Sequence, residues 1–188
     1  MSKAVAVPKN QTRATISLIA GVLVGIIFVV SGSGKIFAYG EMPGQTMQFI
    51  GAVLPDAWLT PQLAVFLGQI FFPYIIPWLE LCLGIMLLLR IWPRLFATIT
   101  LPLIAAFMAN NIWYINKGDV KFTECDCFGI WKMFLGSFTH VESLYIDIVL
   151  LALALTVIFI HPGGFLSSPT WLARLGRGTR IGGKKDTQ

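Results

Sequence analysis

Charged residues are scarce in this chain of 188 residues. They make up 12% of the sequence, against about 25% in an ordinary soluble domain, while hydrophobic residues make up 56% and the mean hydropathy is +0.75. Too few charges remain to cover a water-facing surface, so the composition excludes a single soluble globule and requires lipid as the solvent. The net charge of +5 does not indicate nucleic-acid binding, because membrane topology already explains where the basic residues cluster.

Cysteine and histidine are also rare. The chain has three cysteines, Cys82, Cys125 and Cys127, which are too few for a disulfide scaffold, and it contains no C-x-x-C motif. Two thiolates cannot complete a zinc tetrahedron, and no histidine lies at ligand spacing from them, so we expect no resident metal.

Four long apolar runs predict an all-α fold, a polytopic membrane four-helix bundle within a domain of residues 15–161. A helix needs about 20 apolar residues to cross a bilayer. The predicted spans are residues 16–34, 73–89, 95–114 and 144–160. Between the first two spans we expect a loop with a short interfacial helix. Residues 63–72 then form a lead-in that either lies in the interface or completes a tilted second helix.

The first apolar run has a rival interpretation as a secretory signal peptide, because a basic segment precedes it. Its length, the lack of a small-x-small cleavage site and the lysine that directly follows favour a membrane span. Gly21 and Gly25 form a G-x-x-x-G motif in this run. The motif either marks a close contact between helices or reflects how common glycine is in membrane helices.

The basic residues predict the orientation. The N-terminus (residues 1–14), the Arg90–Arg94 turn and the basic C-terminal arm (residues 162–188) hold 10 of the 14 lysines and arginines. Since such residues concentrate on the cytoplasmic side, we expect both chain ends in the cytoplasm and the loop of residues 115–143 outside. The arm is expected to contact anionic lipid, and the protein to be a multi-pass protein of a prokaryotic cytoplasmic membrane.

Ionisable residues in the predicted spans are the first site candidates, because a charge at a helix centre costs about 2.5–3.5 kcal/mol on insertion scales. Lys35 and Glu80 either form an ion pair that ties two helices together or exchange protons for chemistry at the outer face. Asp147, near the start of the fourth span, is expected to be solvated. Cys82 is expected to be a small apolar filler, with a supporting role as a third thiol as the alternative.

Cys125 and Cys127 are the second candidates. Two cysteines one residue apart in an oxidising compartment favour redox chemistry, because a disulfide across C-x-C is strained and exchanges readily. The structural alternatives are a stapled tight turn or two free thiols packed at the membrane surface. The acidic neighbours Asp119, Glu124 and Asp126 oppose thiolate formation and weaken the redox interpretation.

Four sequence elements carry a family resemblance. They are G-x-G-K ending at Lys35, P-W-L-E-L-x-L-G from Pro77 to Gly84, C-x-C-F-G from Cys125 to Gly129, and Asp147 early in the fourth span. In this order the chain resembles the MauE branch of the DoxX-like membrane proteins over roughly residues 15–160. The C-x-C-F-G element is the most specific of the four.

The resemblance implies a four-helix membrane bundle and a role in methylamine utilisation, in maturing the disulfide-rich small subunit of methylamine dehydrogenase. Other DoxX relatives are subunits of quinone-linked sulfur oxidoreductases. The residues that match the family pattern are Lys35, Glu80, Cys125, Cys127 and Asp147. The chain departs from the pattern in its basic arm, in its irregular aromatic loop after Gly129 and in having no second cysteine pair, which argues against an autonomous disulfide generator.

The predicted function is membrane thiol–disulfide exchange with a secreted or periplasmic thiol protein. Cys125 or Cys127 would react, Glu80 or Asp147 would manage the proton, and Lys35 would stabilise a thiolate or hold Glu80. The alternative is a non-catalytic accessory subunit of a larger respiratory or photosynthetic membrane complex. A small-molecule or quinone carrier is the weakest hypothesis, because the spans hold few polar residues. No cofactor is expected in the chain itself, so a quinone would enter only through a partner.

Overall fold

Four long helices form the body of the protein. The structure is a computed structural model that describes residues 9–38, 44–55, 60–118, 124–125, 128–136 and 138–161. Each long helix is long and apolar enough to cross a bilayer, which confirms the predicted all-α, four-helix membrane fold. The first to fourth helices are Lys9–Phe37, Pro61–Leu88, Pro93–Lys117 and His140–Ile160. Residues 1–8 and the basic arm lie outside the described residues.

The helices alternate in direction, which gives the bundle two ends. The first helix ends, and the fourth begins, at what we call the loop end; the tight turn from Leu89 to Trp92 marks the turn end. The short helix Gly44–Val53 lies at the loop end, where Phe49 meets the ring of Trp113 edge-on at 5.9 Å between centroids. It occupies the position predicted for the interfacial helix.

Shorter elements build the loop between the third and fourth helices. The two-residue strands Glu124–Cys125 and Phe138–Thr139 pair antiparallel, with Cys125 opposite Phe138. Between them lie a 3₁₀ turn, Gly129–Trp131, and a single helical turn, Lys132–Leu135. The described residues of this loop therefore form regular secondary structure over most of their length.

The second helix is much longer than the predicted span that begins at residue 73, because the lead-in continues it as helix. It starts at Pro61, with the Thr60 side chain accepting a hydrogen bond from the Leu63 N–H. Its middle, Leu67–Ile75, is π-helical and contains Pro73. A wider turn accommodates a residue that has no N–H to donate, which is why proline does not break this helix.

The fourth helix begins four residues before the predicted span because of a capping box. Thr139 accepts a hydrogen bond from the Glu142 N–H, and the Glu142 carboxylate accepts one from the Thr139 N–H at 2.8 Å. The T-x-x-E spacing that forms such a box was present in the sequence. Hydropathy identifies the segment inside the membrane, whereas capping identifies where the helix starts.

The first and second helices pack closely through two glycines. Gly25 and Gly84 face each other, and a Cβ on Gly84 would lie 2.8 Å from the Gly25 carbonyl oxygen. A Cβ on Gly21 would meet only Val157 at an ordinary 3.7 Å. Gly25 of the G-x-x-x-G motif therefore serves packing within this chain, in the way that small residues allow membrane helices to approach.

The centre of the bundle is apolar and its exterior is apolar as well. The buried core residues come from all four helices: Ala20, Val24, Phe28, Leu83, Leu87, Ala97, Ile104, Leu150, Ala154 and Val157. Large side chains such as Ile19, Trp78 and Phe159 point outward and are exposed. Such an exterior is suited to lipid, so the fold agrees with the composition.

Candidate functional site

A buried ion pair joins the first two helices near the loop end. The Lys35 Nζ lies 2.6 Å from the Glu80 Oε1, and the side chains are 19% and 1% exposed. The other carboxylate oxygen, Oε2, accepts a hydrogen bond from the Ser31 hydroxyl at 2.8 Å. Ser31 and Lys35 are four residues apart on the first helix, so they lie on one face and reach the same carboxylate.

The close approach of the helices explains why this pair can be so short. A Cβ on Gly32 would lie 2.7 Å from the Leu81 nitrogen and 2.8 Å from the Pro77 carbonyl oxygen. The two backbones therefore touch beside Glu80, whose side chain is buried between them. The Lys35 ammonium also lies 4.7 Å from the centroid of the Phe107 ring, which adds a cation–π contact from the third helix.

A second polar cluster joins the third and fourth helices at the same end. The Asn111 side-chain amide donates to Asp147 at 2.9 Å, and its carbonyl oxygen lies 3.1 Å from the His140 Nδ1. The His140 ring stacks on Tyr114, with centroids 4.8 Å apart and planes 9° apart. All four residues are buried.

The prediction that Asp147 is solvated is wrong. Its side chain is 7% exposed and hydrogen-bonded to Asn111. The capping box starts the fourth helix at His140, seven residues before Asp147, so Asp147 lies two turns inside the helix rather than near its start. Asp147 is also close enough to Lys35 and Glu80 for both charges to act on it.

The two clusters together form one layer, which we call the polar layer: Ser31, Lys35, Glu80, Asn111, His140 and Asp147. Its ionisable side chains are one lysine, two carboxyl groups and one histidine. With both carboxyl groups ionised and the histidine neutral, the layer carries one negative charge in excess. Because a buried, unbalanced charge is costly, the layer is suited to hold one proton.

The loop packs directly on the first helix above this layer. Gly129, at φ +54°, lies against Gly34, and a Cβ on Gly34 would overlap the Phe128 carbonyl oxygen. The Trp131 indole N–H donates to the Ser33 hydroxyl at 3.1 Å, and the Phe128 and Phe138 rings are 5.4 Å apart. The F-G of C-x-C-F-G therefore forms a docking contact one residue from Lys35.

The cysteines are described unequally. The backbone of Cys125 lies in the strand paired with Phe138, while Cys127 lies outside the described residues. Cys82 is exposed on the outer surface with Trp78 and Met86, and does not reach the polar layer. The structure thus brings Lys35, Glu80 and Asp147 together and leaves Cys82 apart.

Several members of the site carry no strong signal in the sequence. Ser31, Asn111, His140 and Tyr114 were not predicted as site residues, although each stands at helical spacing from a neighbour in the site. His140 and Asp147 are seven residues apart, which places them on one helix face. That spacing was the available signal, and the uncertain helix start concealed it.

The fold and the site define a class of protein: a multi-pass membrane protein with a buried, charged polar layer beneath a docked loop. The family model of the methylamine utilisation protein MauE matches residues 13–160, so the chain belongs to the MauE family. This confirms the MauE part of the resemblance and assigns the chain to the membrane proteins of methylamine utilisation. The match stops before the basic arm. No curated protein and no solved structure matches the chain.

Proposed function

We propose that this protein exchanges thiols and disulfides with a secreted or periplasmic thiol protein through Cys125 and Cys127. The observation that carries the proposal is the docking of Gly129 on Gly34, beside the backbone of Lys35. This contact places the segment after the cysteines against the first helix, whose Lys35 forms the ion pair with Glu80. We further infer that the family belongs to the DoxX-like membrane proteins.

Chain connectivity supports the proposal. Cys125 is fixed by its pairing with Phe138, directly before the fourth helix, and Phe128 is fixed against the end of the first helix. Asp126 and Cys127 connect these two points. The C-x-C segment therefore joins the ends of the two helices that contribute Lys35 and Asp147 to the polar layer.

The proposed reaction balances without an outside proton. A thiolate of the partner attacks one sulfur of a Cys125–Cys127 disulfide, and the other loop cysteine leaves as a thiolate. A second partner thiolate then attacks the mixed disulfide, which gives an oxidised partner and a reduced loop. The two protons of the partner thiols end on the loop thiols, and the polar layer can hold one of them between the two steps.

The loop must then be reoxidised from outside the chain. The chain has one C-x-C and a distant Cys82, so it lacks a second pair that would pass the electrons on. We infer that another membrane component, such as a quinone-linked one, accepts them. A strained C-x-C disulfide is a strong oxidant and is a suitable donor of disulfides to a partner.

Trapping tests this function. We expect Cys125 and Cys127 to react with a membrane-impermeant thiol reagent in intact cells only after reduction. We also expect the Cys127→Ala variant to capture a partner as a mixed disulfide. Its Cys125 thiolate attacks a disulfide of the oxidised partner and displaces one partner thiolate, and no second loop thiol remains to resolve the product. Mass spectrometry of the labelled peptides and of the captured species measures both. The Cys82→Ala variant is the matched control and should behave like the wild type.

Two results would contradict the exchange function. One is labelling of both loop cysteines without prior reduction, and the other is the absence of a captured partner with either single loop variant. Together they would favour the accessory-subunit hypothesis, for which stable co-migration with a large complex on a native gel is the expected result.

We propose that both chain ends face the cytoplasm of a prokaryotic cell and that the loop end faces outward. Arg90 and Arg94 lie at the turn end, while the acidic residues Glu124, Glu142 and Asp147 lie toward the loop end. A reporter active only in the cytoplasm, fused after Gln188, should be active, and the same reporter inserted after Gly118 should be silent. The reverse pattern would overturn the orientation without bearing on the cysteine chemistry.

A further inference from the structure

The turn end carries a group of basic side chains that the exchange function does not use. Arg90 lies in the turn between the second and third helices, and Arg94 lies in the first turn of the third helix. Both act electrostatically on His161, which ends the fourth helix. The Nδ1 of His161 lies 3.1 Å from the Ser17 hydroxyl oxygen. Residues from four parts of the fold therefore meet at one place.

These charges lack a counter-ion in the part of the chain that the structure describes. Its acidic residues Glu80, Glu124, Glu142 and Asp147 belong to the second helix near the polar layer or to the loop end. The arm beyond residue 161 is a poor counter-ion because it holds five basic residues and one acidic residue. Within the described residues the positive charge at the turn end is therefore unbalanced, which favours an anion from outside the chain.

Arg94 provides a donor that is already shielded from water. Its Nε is buried and has no hydrogen-bond partner among the described residues. A buried donor without an acceptor costs about 1–3 kcal/mol, so such a group is normally satisfied by a ligand or by water. A guanidinium binds phosphate oxygens through strong, often bidentate, charge-assisted hydrogen bonds.

The backbone at the turn end favours an anion as well. The third helix begins after Trp92, whose side chain makes no capping hydrogen bond, so the N-terminus of this helix faces the turn end. Arg90 and Trp92 both adopt left-handed conformations, with φ +56° and +43°. Strained conformations of this kind persist where the surrounding structure fixes them and are often found at ligand sites.

We propose that Arg90, Arg94 and His161 form a binding site for the phosphate of an anionic phospholipid. The site lies at the level where a bilayer presents its head groups, because the second helix ends and the third begins there. Ser17 and His161 form its inner wall. Two guanidinium groups with no carboxylate between them prefer a lipid with a net negative charge over a zwitterionic one.

His161 supplies an independent readout. Burial, followed by the charges of Arg90 and Arg94, lowers the pKa of this histidine below its usual value. A bound phosphate would offset the two arginines and raise the pKa of His161 again. The charged side chains that act on His161 in the described structure are those two arginines. NMR titration of the protein with labelled histidine, with and without phosphatidylglycerol, measures this shift.

Lipid titration of the purified full chain tests the proposal. Native mass spectrometry in detergent gives the dissociation constants of phosphatidylglycerol and phosphatidylcholine. We expect phosphatidylglycerol to bind more tightly, and Arg94→Gln to weaken it about tenfold, the loss of one charge-assisted contact. Arg13→Gln removes the same charge from an exposed site at the same end and should change binding by less than about twofold. Arg90→Gln, which changes a half-buried side chain in the turn instead of one in the helix, should resemble Arg94→Gln.

Three outcomes would overturn the site. Equal losses with Arg13→Gln and Arg94→Gln would mean that bulk charge attracts the lipid. Equal affinity for phosphatidylglycerol and phosphatidylcholine would mean that no anionic head group is selected. Competition by inorganic phosphate at millimolar concentration would assign the pocket to a soluble anion instead of a lipid.

Discussion

Replacement of Lys35 by methionine is expected to destabilise the bundle by about 3–5 kcal/mol, the usual effect of removing one partner of a buried pair. The change leaves the Glu80 carboxylate, 1% exposed, with one hydrogen bond from Ser31 and no cation beside it. Methionine keeps most of the length and apolar volume of the side chain, so the loss mainly reports the charge, including its cation–π contact with the Phe107 ring. Unfolding of the purified protein by titration with sodium dodecyl sulfate measures the change.

The double variant Lys35→Met, Glu80→Met separates the two interpretations of the pair. Since both charges are then absent, we expect more than half of the lost stability to return. A stable double variant that no longer exchanges disulfides would assign the pair to the chemistry, and an active one would make it purely structural.

A variant of Lys117 is the matched control for the loss of a lysine. Its ammonium lies 4.8 Å from the centroid of Trp113, and its side chain is exposed. Lys117→Met should therefore cost less than about 1 kcal/mol. If Lys35→Met were equally mild, or if the double variant were as unstable as the single one, the stability would come from packing instead of from the buried charge pair.

The Gly34→Ala variant is expected to undock the C-x-C-F-G loop while the helices remain folded. The new Cβ would overlap the Phe128 carbonyl oxygen, and a backbone atom cannot turn aside as a side chain can. Overpacking costs about 1–3 kcal/mol, which raises the undocked population by about fivefold to about 150-fold. After reduction, the alkylation rate of Cys127 should rise accordingly, and capture of the partner should fall.

Gly51→Ala is the control for Gly34→Ala. Gly51 lies in the short helix, and nothing lies within 4 Å of the position that its Cβ would take. Alanine at an exposed helical position gains about 1 kcal/mol of helix propensity, so Gly51→Ala should be neutral or stabilising. Unchanged alkylation of Cys127 in Gly34→Ala would contradict the docking contact.

Much of the fold followed from the sequence because hydrophobicity and lipid leave few alternatives. A scarcity of charge and four apolar runs predicted the four helices, and the expense of a buried carboxylate singled out Glu80 and Lys35. The match to the MauE family model confirms that the order of motifs was informative. These features are visible in a short stretch of sequence, or they follow from the large free-energy cost of placing a charge inside the membrane.

The remainder depended on contacts that a linear pattern does not contain. The partners of Glu80 include Ser31, 49 residues away, and Asp147 is held by Asn111, 36 residues away. Residues 63–72 continue the second helix because the π-helical stretch accommodates Pro73. Hydropathy does not distinguish a π-helical backbone from a break in the helix. The error on Asp147 came from counting depth along an apolar run rather than from the capped start of the helix.

The depth of the polar layer has an electrical consequence. Asp147 lies seven residues into the fourth helix, which is about 10 Å by helical rise and about a third of the hydrocarbon thickness. A proton that reaches it from the loop end crosses about a third of the membrane field, worth about 0.8 kcal/mol per 100 mV, and one from the turn end crosses about twice as much. Proton binding from the loop side is therefore only weakly voltage-dependent, and we expect the proposed exchange at that surface to depend little on the membrane potential.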